Sequence, residues 1–413
     1  MPDLDDDGVL RESPLESPGA IGSADPSYVE SSALYDVAIV GGGITGCATA
    51  YHLARAGASV LILERHEINT EASGRNAGSL HGQIQHQPFV DLGEGWAADF
   101  APALRFLLQS LKLWQDLSAE LEMDLEVKNR GGLLIVDNPT QMRLVERKVA
   151  VEREAGLDSV VLSRTELLEK APYVSSVMIG AGFSPVEGLV NPMLAAPAFA
   201  RMAVRHGADI RTRVSVLRVE PSRDEVQLVT TSGTVRASQV ILASGDALAL
   251  QAKTFGLHLP ISTEPVQVSV TEPVTSFIDH LVYFAGQRLT LKQARSGSVL
   301  IGGGWPARLD ATTGYPLVDL DSLRGNLAVA LHVAPRLATA LVLRSWAGIG
   351  NGTPDHRPVI GTLPGQSRIH LGLFPHMGLT AGPLMGRVLS DLALRRETDL
   401  DLYPFRVDRF QEF

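Results

Sequence analysis

Three glycines stand at a spacing of one, three and six in Gly41-Gly42-Gly43-Ile44-Thr45-Gly46, directly after the apolar run Tyr35–Val40. This turn constrains the chain more than any other feature. The run before it reads as a buried strand, Cys47–Ala56 as a helix, and Ser59–Leu63 as a second strand that stops at Glu64. A strand–turn–helix–strand unit of this kind is the context in which such glycines bind a dinucleotide. Gly41 permits the tight turn, Gly43 lets the backbone approach a pyrophosphate, and Gly46 lets the helix pack on the strand. Ile44 and Thr45 lie in the turn, ahead of a helix whose free N–H groups and partial positive charge suit phosphate. Glu64, with Arg65 beside it, is placed for a ribose diol, and its charge disfavours a 2′-phosphate.

Glu71-Ala72-Ser73-Gly74-Arg75-Asn76-Ala77-Gly78-Ser79 follows the second strand. It reads as a polar, small-residue loop where a nicotinamide domain usually has another helix and strand, so it suits a longer, extended cofactor. Ser73, Arg75, Asn76, Ala77 and Gly78 are its candidate contacts. Val240–Gly245 reads as a strand ending in small residues, Ala243, Ser244 and Gly245, that let a cofactor come close. Val216, in the expected strands over 210–220, is a further candidate. Near the end, Met377-Gly378-Leu379-Thr380 leads into a helix read as starting at Pro383, whose N–H groups suit anionic charge.

The remainder bounds the function. A chain of 413 residues suits two domains sharing a cleft, and 45% hydrophobic residues support a sizeable core. The lone Cys47 excludes an internal disulfide and an iron–sulfur cluster held by this chain alone. There is no apolar run of about eighteen residues to span a membrane, no secretory signal at Met1, and no basic–aromatic pattern for nucleic acid. The expected location is cytoplasmic. Of the net charge of −10, −7 falls in residues 1–34, so 1–33 is read as a disordered acidic tail.

Beyond the glycine turn, the motifs Ser73–Gly78, Ala243–Gly245, Gly348–Gly361 with Thr353-Pro354-Asp355, and Met377–Thr380 resemble the D-amino-acid oxidase superfamily of FAD enzymes over roughly residues 34–398. The stretch Ser73–His81 looks most like the FAD subunits of opine and D-hydroxyproline dehydrogenases and of hydrogen cyanide synthase. Sarcosine and glycine oxidases are more distant. The resemblance implies an α/β chain: a Rossmann-like FAD-binding domain of the glutathione-reductase type, with an α+β substrate domain on a mostly antiparallel sheet. The expected division gives 34–95, 185–258 and 343–398 to the FAD domain, 96–184 and 259–342 to the substrate or interface domain, and 399–413 to a tail.

It also implies hydride transfer from an amine or amino acid to flavin, with partner subunits that carry a second flavin or an iron–sulfur centre. FAD is expected to be non-covalent. Monomeric sarcosine oxidases attach it through a cysteine before the Thr-Pro-Asp motif, and Ser345–Gly350 has none. Their substrate-binding lysine is here Thr380, so N-methylglycine itself is in doubt. Gly348 joins the expected cofactor contacts. No metal is expected.

His81 is read as a pocket residue, with a structural role or covalent flavin attachment as alternatives. Lys292 is either a flavin-side lysine or a solvent-facing strand residue. His376 lines the pocket or packs. Asp355 shapes a turn, and Trp346 packs on flavin or in the core. A hydroxy-acid dehydrogenase, a direct oxygen-using amine oxidase and a non-catalytic electron-relay flavoprotein are the competing functions.

Overall fold

In a computed structural model, the structure describes residues 34–411. The expected acidic tail at 1–33 lies outside the described residues. The glycine unit folds as a strand, turn, helix and strand, with Leu34–Val40 and Val60–Leu63 flanking helix α1 (Ile44–Arg55), which starts inside the expected turn rather than at Cys47. Val37 to Val40 are all buried, which is why the run is continuously apolar: helices cover one face and a second cluster covers the other.

The first sheet has eight strands. Its main path runs Val359–Leu363, Gln366–Leu373, Gly233–Leu242, Leu34–Val40, Val60–Leu63, Asp209–Arg211, parallel except at the first pair. Val226–Thr230 and Val216–Pro221 extend it as an antiparallel meander. The second sheet also has eight strands. Its order is Val342–Gly352, Ser262–Pro273, Ser298–Pro306, Thr290–Gln293, Leu281–Phe284, Gly132–Val136, Gly180–Ser184, Val160–Ser163. Only the pair Leu281–Phe284 with Gly132–Val136 is parallel.

The remaining helices are α2 (Ala72–Arg75), α3 (His86–Glu120), α4 (Pro139–Glu154), α5 (Arg164–Lys170), α6 (Pro192–Arg205), α7 (Leu248–Lys253), α8 (Leu320–Val333) and α9 (Gly378–Ala393). Several differ from the sequence reading. The loop over 71–79 contains the short α2. Helix α3 begins at His86 rather than near Ala97, with a break at Gly93, whose φ is 81°. Helix α9 begins at Gly378 rather than at Pro383, which lies inside it. Pro383 is the sixth residue of α9, past the free N–H groups of the first turn, and can give no N–H to the Leu379 carbonyl, so it marks the region of the start and not the start itself.

Three domain boundaries differ as well. Phe100, Leu104 and Trp114 of α3 pack with α1, α6 and α9, which puts 96–120 with the first sheet. Residues 342–352 pair with Ser262–Pro273 in the second sheet. The segment after 399 is docked: Phe405 is buried and Arg409 grips both oxygens of Asp355. Asp355 also accepts from Arg357 N, so it holds a turn as expected.

Burial of histidines makes the fold acid-sensitive. Loss of solvent pushes His52, His86, His280, His370 and His376 down to about 4 and His81 to about 3. Their folded pKa values lie below the ordinary 6.5, so the unfolded chain binds more protons once pH falls below 6.5. This contribution to stability is complete above 6.5 and is lost progressively down to about 4. The melting temperature is therefore expected to fall steeply across that window. Thermal melts in matched buffers check this, and a flat profile there contradicts it.

Candidate active site

One long cleft of about 720 Å³ runs between the two sheets. That lies within the ~300–1,000 Å³ of small-molecule sites. Its first end is the glycine turn. Gly41 has φ +113°, and a Cβ there would sit 2.5 Å from the Ala243 carbonyl oxygen. The turn is thus wedged against the end of the neighbouring strand, and only glycine fits. Gly43 caps α1 without any side-chain bond. The α1 entrance is shared with Ser73, whose Oγ accepts from Ile44 N at 3.0 Å. Glu64 is held by two backbone amides, Gly42 N at 2.6 Å and His66 N at 2.7 Å. Arg65 beside it is paired with Asp246 at 2.9 Å.

Along the cleft, Arg75 donates to Thr70 O and Ala347 O, and its stem packs on Gly348. Asn76 is engaged within its own loop, with Ala72 O, Ser73 O and Gly78 N. Ala77, Ala243, Ser244 and Gly245 line the wall, and Met377, Gly378 and Leu379 close it. Helix α9 therefore opens into the cleft, with no side-chain cap and no acid in its first turn. Its free N–H groups favour anionic charge at that point.

Five expected site residues are not in the lining. Gly46 and Gly78 are packing positions: a Cβ on either would lie 2.0 Å from Gly41 O or 2.2 Å from Val190 O. Val216 pairs with Thr230 in the outer meander and packs against the far-side cluster, so the fold turns it away from the cleft. Thr380 is fully buried. Its Oγ1 accepts from His81 N at 2.9 Å, and its carbonyl accepts from Ser110 and Trp114, tying α9 to α3. Lys292 has no exposure, which overturns the solvent-facing reading. It sits one layer behind the cleft, donating to Ser79 Oγ at 2.6 Å, and burial pushes it down to about 7.

His81 and His376 do line the cleft. His376 stacks on His356 at 5.4 Å. His81 Nδ1 lies 2.8 Å from Tyr283 Oη, and Tyr283 donates to Glu187 Oε1 at 2.9 Å. Sequence reasoning missed Tyr283, Glu187, Lys148, Glu264, Arg288 and His356. No local motif marks them: strands and helices far apart in the chain bring them together. Arg288 and Glu264 stand at the same end as His356 and His376.

Comparison with known proteins decides the identity. The profile of the family described as "FAD dependent oxidoreductase" (DAO) matches residues 36–392. The chain belongs to this DAO family. Among curated relatives, the beta chain of sarcosine oxidase from Rhizobium meliloti is 29% identical over 91% of this chain and 88% of its own length. Glycine oxidase of Bacillus subtilis is 29% identical over 91% and 97%. An opine oxidase subunit of Rhizobium meliloti is 26% identical over 91% and 97%. The solved glycine oxidase of Geobacillus kaustophilus superposes with a TM-score of 0.80 at 26% identity, covering 92% of this chain and 99% of that one.

This DAO-family chain is an FAD-dependent oxidoreductase, and its cleft fits the cofactor. The Gly41 cradle excludes a Cβ. Buried polar atoms of Asn69, Asn351, His86 and His356, all cleft residues, have no protein partner. Buried polar groups without partners are rare in folded proteins, and a polar ligand satisfies them. Among the described residues no group of three or more His, Cys, Asp or Glu is arranged to hold a metal, and no helix is long and apolar enough to cross a membrane.

Proposed function

We propose that this chain dehydrogenates the carbon–nitrogen bond of an amino acid, opine or secondary amine, as one member of a hetero-oligomeric complex. FAD, when bound, would supply a two-electron acceptor for hydride. Gly41, Gly43, Ile44 and Thr45 would hold its pyrophosphate through backbone N–H groups, and Glu64 would hold the ribose. Ser73, Arg75, Asn76 and Ala77 line the extended cofactor with Ala243, Ser244, Gly245 and Gly348, while Gly46 and Gly78 keep the surrounding backbone close. The α9 entrance at Met377–Leu379 would stabilise anionic charge on the cofactor. Thr380 and Lys292 support this wall from behind. His376 and His81 face the substrate. The imine product hydrolyses in water.

The observation that carries the substrate class is the charge pattern at the far end. Arg288 donates to Gly304 O and has no carboxylate within ion-pair distance among the described residues, so one cation is free for one carboxylate. Lys148 is already neutralised by Glu152. Among the described lining residues, a single cation without a carboxylate partner, at the end held by His356 and His376, suits an amine with one carboxylate better than a substrate with additional anionic groups. Two relatives, of sarcosine oxidase and of opine oxidase, are named as subunits, which supports assembly with partners. So does the edge strand Val342–Gly352 with its flanking Leu341, where Leu341 and Leu343 are 68% and 69% exposed.

The test is anaerobic bleaching of the bound flavin by secondary amino acids and opines, and separately by hydroxy acids. Amines are expected to bleach it, and slow reoxidation by oxygen without the partner subunits is expected. Bleaching by hydroxy acids alone overturns the substrate class. A lone chain that turns over an amine at full rate with oxygen overturns the complex.

A further inference from the structure

His81, Tyr283 and Glu187 form a hydrogen-bonded line from the cleft into the protein. Glu187 is completely buried and is surrounded by donors. Its Oε1 accepts from Gly82 N at 2.6 Å, Gln83 N at 3.0 Å and Tyr283 Oη at 2.9 Å, and its Oε2 accepts from Gln83 Nε2 at 2.7 Å. The space is made for it: a Cβ on Gly132 would fall 1.8 Å from Oε2. Three of these four donors are amide N–H groups that cannot reverse, and they favour the carboxylate form. Tyr283 has one hydrogen and gives it to Glu187, so at 2.8 Å the His81 Nδ1 must be the donor to Tyr283 Oη. The tautomer is thereby set, and His81 Nε2 carries a lone pair. No group among the described residues bonds that nitrogen, and the ring lines the cleft.

We infer that His81, Tyr283 and Glu187 form a proton chain that takes the ammonium proton of the substrate, so that the amine is bound as a cation and oxidised as the neutral base. This rests on the proposed carbon–nitrogen dehydrogenation. Hydride leaves only from a carbon whose nitrogen has a lone pair to donate. The ammonium proton passes to His81 Nε2, the Nδ1 proton to Tyr283 Oη, and the Tyr283 hydroxyl proton to Glu187 Oε1. The N–H bonding pair stays on the substrate nitrogen as its lone pair. In the product state Glu187 donates to Tyr283 and Tyr283 donates to His81 Nδ1, so every bond of the line survives reversed. His81 changes tautomer and is never an imidazolium. The proton returns by the reverse path after product leaves.

The surroundings suit this. Burial holds His81 down to about 3, with Lys292 opposing its charge further, so the ring does not store the proton. Burial holds the Glu187 carboxyl above its ordinary range, which makes it the acceptor. Lys148 faces Glu187 and opposes that rise, Glu152 faces Tyr283, and His86 lies beside Lys148.

The test needs no substrate at first. In FAD-loaded protein with isotope-labelled histidine, nitrogen NMR reports the His81 tautomer, assigned through His81→Gln. Infrared spectroscopy reports the protonated carboxyl band, assigned through Glu187→Gln. The Nδ1–H tautomer is expected at alkaline pH, switching to Nε2–H as the Glu187 band appears. In Tyr283→Phe the two changes uncouple. An imidazolium signal, or a Nε2–H tautomer at alkaline pH, overturns the chain whatever the substrate is. With any amine that bleaches the flavin, the apparent affinity of Tyr283→Phe and Glu187→Gln is expected to fall about tenfold per pH unit below the ammonium pKa, while wild type stays nearly flat. Parallel profiles in all three overturn the inference and leave the amine reading standing. Bleaching by hydroxy acids alone removes both.

Discussion

Replacing Gly46 by valine is expected to abolish retention of FAD and to lower the melting temperature. Gly46 lies in the first turn of α1, where a Cβ would sit 2.0 Å from the carbonyl oxygen of Gly41 and 3.4 Å from Ile39. The nearest neighbour is backbone, so no side chain swings aside. Helix and turn must part, which costs about 1–3 kcal/mol or more as overpacking. The same displacement moves the α1 entrance, Gly43 to Thr45, away from the cleft it lines. Flavin absorbance after gel filtration and a thermal melt measure the two effects. Gly95→Ala is the control: nothing lies within 4 Å of its Cβ position, and it is helical. Full flavin content and an unchanged melt in Gly46→Val contradict the packing role.

The second large effect is at Lys148. Its ammonium and the Glu152 carboxylate are 1% and 0% exposed and 2.5 Å apart. Glu152 also accepts from Ile84 N and Ser159 Oγ, and Lys148 also donates to Gln83 Oε1. Lys148→Met leaves a buried carboxylate without its cation, and breaking a buried pair in this way costs about 3–5 kcal/mol. Lys148→Met with Glu152→Leu removes both charges and is expected to recover part of the loss, short of the whole because Ser159 and Ile84 N lose their acceptor. Urea unfolding of parent, single and double variants reads this directly. A single variant within about 1 kcal/mol of the parent, the ordinary effect of a substitution, refutes the argument. Gln83 also bonds Glu187, so the single variant is expected to disturb the cleft floor as well.

The glycine unit was legible because its determinants are local. Gly41, Gly43, Gly46 and Glu64 owe their places to one strand, one turn and one helix, and each meets its neighbours within about thirty residues, apart from the Ala243 contact. Lys292 could not be placed from the sequence for the opposite reason. Thr290–Gln293 is a central strand of the second sheet, flanked on both sides, and a short alternating run does not announce which face a lysine takes. Val216 failed similarly: the strand reading over 210–220 was near the truth, yet the chain splits into Asp209–Arg211 and Val216–Pro221, and only the first borders the central sheet. Glu187 gave no signal, because the Gly132 space and the Gly82 and Gln83 amides that create its niche come from other parts of the chain.

What the sequence alone determined is the cofactor end: a turn whose glycines admit a pyrophosphate, a terminal acid for a ribose, and a chain too poor in cysteine for its own cluster. Those follow from steric rules acting over a few residues. Only the tertiary structure decided the chemistry-bearing end, where Tyr283 meets His81 from 202 positions away and Glu187 from 96. Protonation and tautomer depend on burial and on which donors converge, and both are properties of packed space rather than of neighbouring letters.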